Sequence, residues 1–304
     1  MLSSKPFRFS GDLNLFDSLI ADKRIQNYIE GIEGDIQTTS DHILRNLYGH
    51  AFRIDSSSSP YLHEIIEECS SKLDLQEFKI NSFINSSNEV NASCSRNGND
   101  ITLNFNAGLI NKFEKSEIEF IVGHELGHAL FEHHKLPAYG ICQSNTIGPS
   151  KLIKLMSWSR QAEISADRAG LIGCRNLEAA LGAKLVLSSG ISSSNFDLVP
   201  EKFAKQTSEL IDHLIKSESF EDLYSTHPFN PLRVNALYLF HECQELYENF
   251  GIGSNRKPLE EISTEIRSIL KTMDGESPDT SEKENKSSSK KRSTKAKEVT
   301  SSLS

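Results

Sequence analysis

Apolar residues recur every three or four positions along the first fifty residues. Leu13, Leu15, Phe16, Leu19 and Ile20 form one stripe, and Ile25, Tyr28, Ile29 and Ile32 continue it. That period predicts helices. The run SSSSP, Ser56 to Pro60, breaks it as a loop. The segment YLHEIIEECSSKLDL resumes it, with Leu62, Ile65, Ile66 and Cys69 on one face. The texture then changes between about residues 77 and 110, where β-branched and aromatic residues alternate with Asn, Ser and Gly. ASCSRNGNDITLNF predicts two strands about a turn at Asn97-Gly98. From there to about residue 272 the spacing is helical again. The pattern predicts an α+β chain, mainly helical, with one small sheet.

The first helix after the strands reads KSEIEFIVGHELGHALFEHHK. Ser116 with Glu119 three residues on predicts a capping box. Ile118, Ile121, Val122, Leu126, Ala129 and Leu130 supply the apolar positions. His124 and His128 stand four apart, so their imidazoles project from one face, a turn apart. This is the H-E-x-x-H pattern, and it suits two nitrogen ligands on one Zn²⁺ at about 2.0–2.1 Å. Glu125, beside the first histidine, is placed to take a proton from a water that the ion acidifies. Gly123, Gly127 and Ala129 leave room for a close-packed neighbour. His134 stands ten residues after His124, the offset of a third histidine ligand in a related pattern, but that pattern needs a glycine where Phe131 stands. The helix is therefore expected to run on past Phe131, with His134 pointing away and His133 and His134 closing its end.

A catalytic zinc needs a third protein ligand. The segment SRQAEISADRAGL offers Glu163, with Asp167 one turn further on. A glutamate on a second helix completes a His₂Glu set, and a carboxylate one turn away can accept the free ring N–H of a histidine ligand. Ala162, Ala166 and Ala169 make this helix fit for burial against the first.

Composition narrows the classes. The chain has 304 residues, 37% of them hydrophobic, and a formal charge of −9, which argues against nucleic acid as a partner. No apolar run approaches the ~18–20 residues that span a bilayer, and the first residues do not read as a signal peptide. Five scattered cysteines, with no C-x-x-C pair, suit buried thiols in a reducing compartment. A cytoplasmic location is the expectation. From about Gly275 the chain is Ser, Lys and Glu with almost nothing to bury, so a disordered tail is expected. Its cluster Lys290 to Arg292 is a candidate docking point for a partner.

HELGH, EISADRAGL and STHPFNPLRVNAL occur in the order seen in HtpX-type zinc metallopeptidases, the family that includes the CAAX prenyl protease. EVNASC and ITLNFNAGLI resemble that family's segments before the metal helix. The likeness covers about residues 60 to 240. It implies a zincin-like domain of the gluzincin kind with one Zn²⁺ per chain. It further implies His124, His128 and Glu163 as ligands, Glu125 as general base and Asp167 as their support. His227, in THP, would approach the metal or the oxyanion. Arg233 would pair with Asp167 or bind the substrate carbonyl. The strand Ile101 to Phe105 is expected to offer an open edge to an extended peptide. Unlike the best-known members, this chain carries no apolar membrane span. The expected division is a helical extension over 1–58 packed on the core, the metallopeptidase domain over 59–273, and a tail over 274–304. The expected activity is hydrolysis of peptide bonds in protein or peptide substrates. The alternatives are a catalytically silent zinc-binding protein, or a repressor-cleaving peptidase of the ImmA type.

Overall fold

The computed structural model describes residues 5–192, 199, 202–207, 209, 213 and 229–273. Two helices open the chain, α1 (Ser10–Ile20) and α2 (Lys23–His50). Asp22 caps α2 by accepting from the backbone N–H groups of Arg24 and Ile25. Phe16, Leu19 and Ile25 bury the predicted stripe, whereas Leu13 faces solvent. A short strand, β1 (Phe52–Arg53), leads to α3 (Pro60–Lys72), which buries Leu62, Ile65, Ile66 and Cys69 as their spacing predicts.

The sheet follows as β2 (Lys79–Asn85), β3 (Ala92–Asn97) and β4 (Asp100–Asn106). β3 and β4 form the expected hairpin, with Asn97 opposite Asp100 and Gly98 at φ +56° in the turn. That left-handed backbone suits glycine. The strand order is β1-β2-β4-β3, with β2 parallel to β4 and the other pairs antiparallel. This corrects the expectation for Ile101 to Phe105: β4 is paired on both sides, and the edge strands are β1 and β3. Ile101, Leu103 and Phe105 turn one face of β4 into the core, which tells the face of a strand but not its rank in the sheet.

After a single turn, α4 (Ala107–Ile110), the chain enters α5 (Lys115–Leu130). Its capping box lies two residues before the expected one. Glu114 accepts from the backbone at Glu117, and the Glu117 carboxylate accepts from Glu114 N–H. Phe113, buried just ahead, anchors the chain there. The helix also stops earlier than its sequence suggests. Phe131 turns into the core, Glu132 takes a left-handed backbone (φ +59°), and Arg96 caps the carbonyl of Ala129. A non-glycine residue thus executes the turn, because tertiary contacts on either side fix it.

Then come α6 (Ala138–Gln143), α7 (Pro149–Cys174), α8 (Leu177–Ser189), α9 (Asn230–His241), α10 (Gln244–Phe250) and α11 (Leu259–Met273). α7 is the axis of the molecule, buried at every position from Leu155 to Cys174 except Ser159. One core lies between the sheet, α3, α5, α7, α8 and the last helices, and a second joins α1 and α2 to the first half of α7. All five cysteines are free, and Cys69, Cys174 and Cys243 are buried. No described helix is long and apolar enough to cross a membrane.

Candidate metal centre

α5 and α7 cross at glycine and alanine. A Cβ added at Gly127 would come within 2.6 Å of the Ala169 methyl, and one at Gly123 within 3.1 Å of the Ala169 carbonyl oxygen. No larger side chains fit, so the two backbones close up. That approach brings Glu163 of α7 under the His124–His128 face of α5.

The three side chains converge. His124 Nε2 and His128 Nε2 are 3.3 Å apart. Glu163 Oε2 is 3.5 Å from His124 Nε2, and Glu163 Oε1 is 3.5 Å from His128 Nε2. A tetrahedral ion with bonds near 2.1 Å separates its donors by about 3.4 Å. Among the described residues this is the His/Cys/Asp/Glu group whose ligand atoms could share an ion. Burial keeps both rings neutral: it pushes His124 below its ordinary pKa and His128 down to about 3. With the ring protons on the outward Nδ1 atoms, two neutral imidazoles and a carboxylate turn lone pairs to one point, and a cation there relieves their repulsion. The donor set, two nitrogens and one oxygen, suits Zn²⁺ and leaves a fourth position open.

Around this trio lies a buried charge network. His124 Nδ1 is 3.0 Å from Asp167 Oδ1, close but not aligned as a full hydrogen bond. Arg233, on α9, donates from Nε and Nη2 to the two Asp167 oxygens at 2.7 and 2.8 Å, and its Nη2 also lies 2.9 Å from Glu163. Of the two readings of Arg233, the geometry is that of the ion pair. Lys184, on α8, reaches Asp167 at 2.5 Å. Burial opposes ionisation of Asp167, but Arg233 and Lys184 outweigh it and hold the carboxyl well below its usual range. Burial and the neighbouring Arg233 lower Lys184 to about 8. Glu125 lines the cleft beside the trio. Burial and then the Glu163 charge push it up to about 8.

The other residues singled out by sequence divide. His134 is exposed and outside the cluster. His133 does more than close the helix: it is buried against His128, with the two Nδ1 atoms 2.8 Å apart. His227 lies outside the described residues, as does the whole tail. Lys184 went unnoticed in the sequence, although a lone lysine within LEAALGAKLVL was a visible signal.

A cleft of about 630 Å³ opens over the trio. Asn91 to Cys94 of the β3 edge, Lys184 and Phe229 line it, with Arg233 at its base. Asn106 N–H bonds to Asn91 carbonyl oxygen, so in this antiparallel pair Asn91 and Ser93 face inward. The backbone groups of Ala92 and Cys94 therefore face the open side.

No solved structure matches the chain. The sequence model of Peptidase family M48 matches residues 56–239, and that span contains every member of the trio, Glu125, Asp167 and Arg233. The chain belongs to peptidase family M48, whose members are metal-dependent, typically zinc, peptidases.

Proposed function

We propose that the protein is a zinc metalloendopeptidase that hydrolyses peptide bonds of protein or peptide substrates, with one zinc held by His124, His128 and Glu163. The convergence of those three donors at the floor of the cleft, with Glu125 beside them, carries the proposal. A zinc ion there supplies Lewis acidity, acidifying a water and polarising the scissile carbonyl.

The remaining work falls to the chain. Glu125 accepts the proton of the attacking water and hands it to the amine nitrogen as the bond breaks. Its raised pKa reflects burial beside Glu163, and a dication on the trio would act in the opposite sense, favouring the carboxylate. Arg233 and Lys184 neutralise the Glu163–Asp167 pair and hold both carboxylates in place. The backbone of Ala92 and Cys94 offers an extended substrate a strand to pair with, which aligns its peptide bond over the trio. His227, two residues before the cleft-lining Phe229, is assigned to the oxyanion on the family resemblance. A cytoplasmic site of action fits the five free thiols.

Metal removal tests the reading. Cleavage of a fluorescently quenched unfolded protein should stop after chelation and return with one equivalent of zinc. Equal cleavage by metal-free and zinc-loaded protein would refute it.

A further inference from the structure

Asp12 lies on α1, forty-four residues before the family match begins. It is fully buried, and every neighbour it bonds is a donor. Arg8 gives Nε and Nη2 at 2.8 and 2.9 Å, and Trp158 gives Nε1 at 2.9 Å. Ser165 gives its hydroxyl at 2.6 Å. The fourth partner is His133, through Nε2 at 3.0 Å. A carboxylate surrounded this way only accepts, so the proton of the His133 ring sits on Nε2.

That placement propagates. With its one proton on Nε2, a neutral imidazole at His133 carries its lone pair on Nδ1, which faces His128 Nδ1 at 2.8 Å. One of two facing nitrogens must donate, and only His128 can. Its proton is thereby fixed on Nδ1 and its lone pair on Nε2, the atom turned to His124 and Glu163. Asp167 Oδ1 lies 3.0 Å from His124 Nδ1 and favours the same tautomer there by charge, without a fully aligned hydrogen bond. We propose that Asp12, acting through His133, is the positioning group for His128 as a zinc ligand, so that the N-terminal segment completes a metal centre the family-matched region leaves half supported. This rests on the ligand assignment above.

The fold is built to hold the relay. The left-handed backbone at Glu132 turns the chain after α5, so that His133 tucks beneath His128. Trp158 meets the His133 ring edge-on, with centroids 5.9 Å apart. The α1 end is docked on α7: Phe9 N–H bonds Ser165 Oγ, and Phe7 and Phe9 are buried in the main core. Ser165 sits on α7 between Glu163 and Asp167, so the helix that carries the third ligand and the His124 support is also the one on which the Asp12 segment docks.

Zinc affinity by competition with a chromogenic chelator, measured on the full chain beside the melting temperature of the metal-free protein, tests this. His133→Phe keeps the ring's bulk and removes the link. Asp12→Asn removes the charge and one of the two acceptor oxygens, so that the cluster no longer fixes the tautomer of the ring. Each is expected to weaken zinc binding about 10–100-fold, the usual cost of losing a group that orients a ligand. The double variant should bind no more weakly than the weaker single, since both cut one path. Ser165→Ala disturbs the same cluster without cutting the path; its melting temperature should fall while its zinc affinity stays within about twofold. Should Asp12→Asn fail to fold, His133→Phe against Ser165→Ala decides alone. Wild-type affinity in His133→Phe, or an equal loss in Ser165→Ala, would overturn the relay. A wild-type protein that binds no zinc would instead overturn the ligand assignment itself.

Discussion

His128 has to stay neutral in a buried site crowded with charge, and that has a consequence for stability. An unfolded imidazole takes a proton near pH 6.5, whereas burial holds the folded ring back to about 3. Between those values the unfolded chain binds more protons, so stability falls as pH falls through the window. The metal-free protein should therefore lose urea resistance from about pH 6.5 downward, and His128→Gln should lose less of it over the same range. Identical slopes would mean that the folded ring titrates normally. Much of the residue-level site was legible: the four-residue spacing named His124 and His128, and the alanine-flanked Glu163 and Asp167 suggested a buried partner helix. Asp12 was not, because a carboxylate's partner 121 positions away leaves no local pattern. Lys184 was legible only as an oddity, since what neutralises a buried lysine is decided by packing.

At the scale of elements, the α5–α7 crossing and the β3 edge set the geometry. The hairpin could be read from Asn97-Gly98 and the alternation around it. The strand order could not, because β2 and β4 are neighbours in space while β3 stands between them in the chain. The end of α5 misled for a similar reason: Phe131 reads as a helix residue, but its burial outweighs that preference. The β3 edge also supports a prediction. Ala92 N–H faces the cleft side, where it donates to Asn91 Oδ1 at 3.0 Å, an acceptor that a substrate strand would replace; a proline is tolerated by the sheet there but cannot donate. Ala92→Pro should raise KM about tenfold or more and leave zinc content unchanged. An unaltered KM in steady-state peptide cleavage would show that substrate docks elsewhere.

For the whole molecule, the N-terminal segment packs its apolar side chains against the peptidase region. Phe7 and Phe9 are buried in the main core, while Phe16, Leu19 and Ile25 close the second. Burial of one such side chain contributes about 1.5–3 kcal/mol, and a domain's total stability is only about 5–15 kcal/mol. A chain cut to residues 56–304 should therefore lose its cooperative thermal transition by circular dichroism; a melt within a few degrees of the full chain would make the extension an appendage. Peptide hydrolysis is the property for which all these parts are needed together, and Glu125 is where it can be isolated. The decisive measurement is the single-turnover cleavage rate of zinc-loaded Glu125→Gln beside that of the zinc-loaded wild type, with metal content determined in both. The variant should hold one zinc per chain and cleave about 10²–10⁴-fold more slowly, the contribution of a positioned general base. Cleavage at the wild-type rate by a variant carrying its full zinc would contradict the assignment of Glu125 as that base.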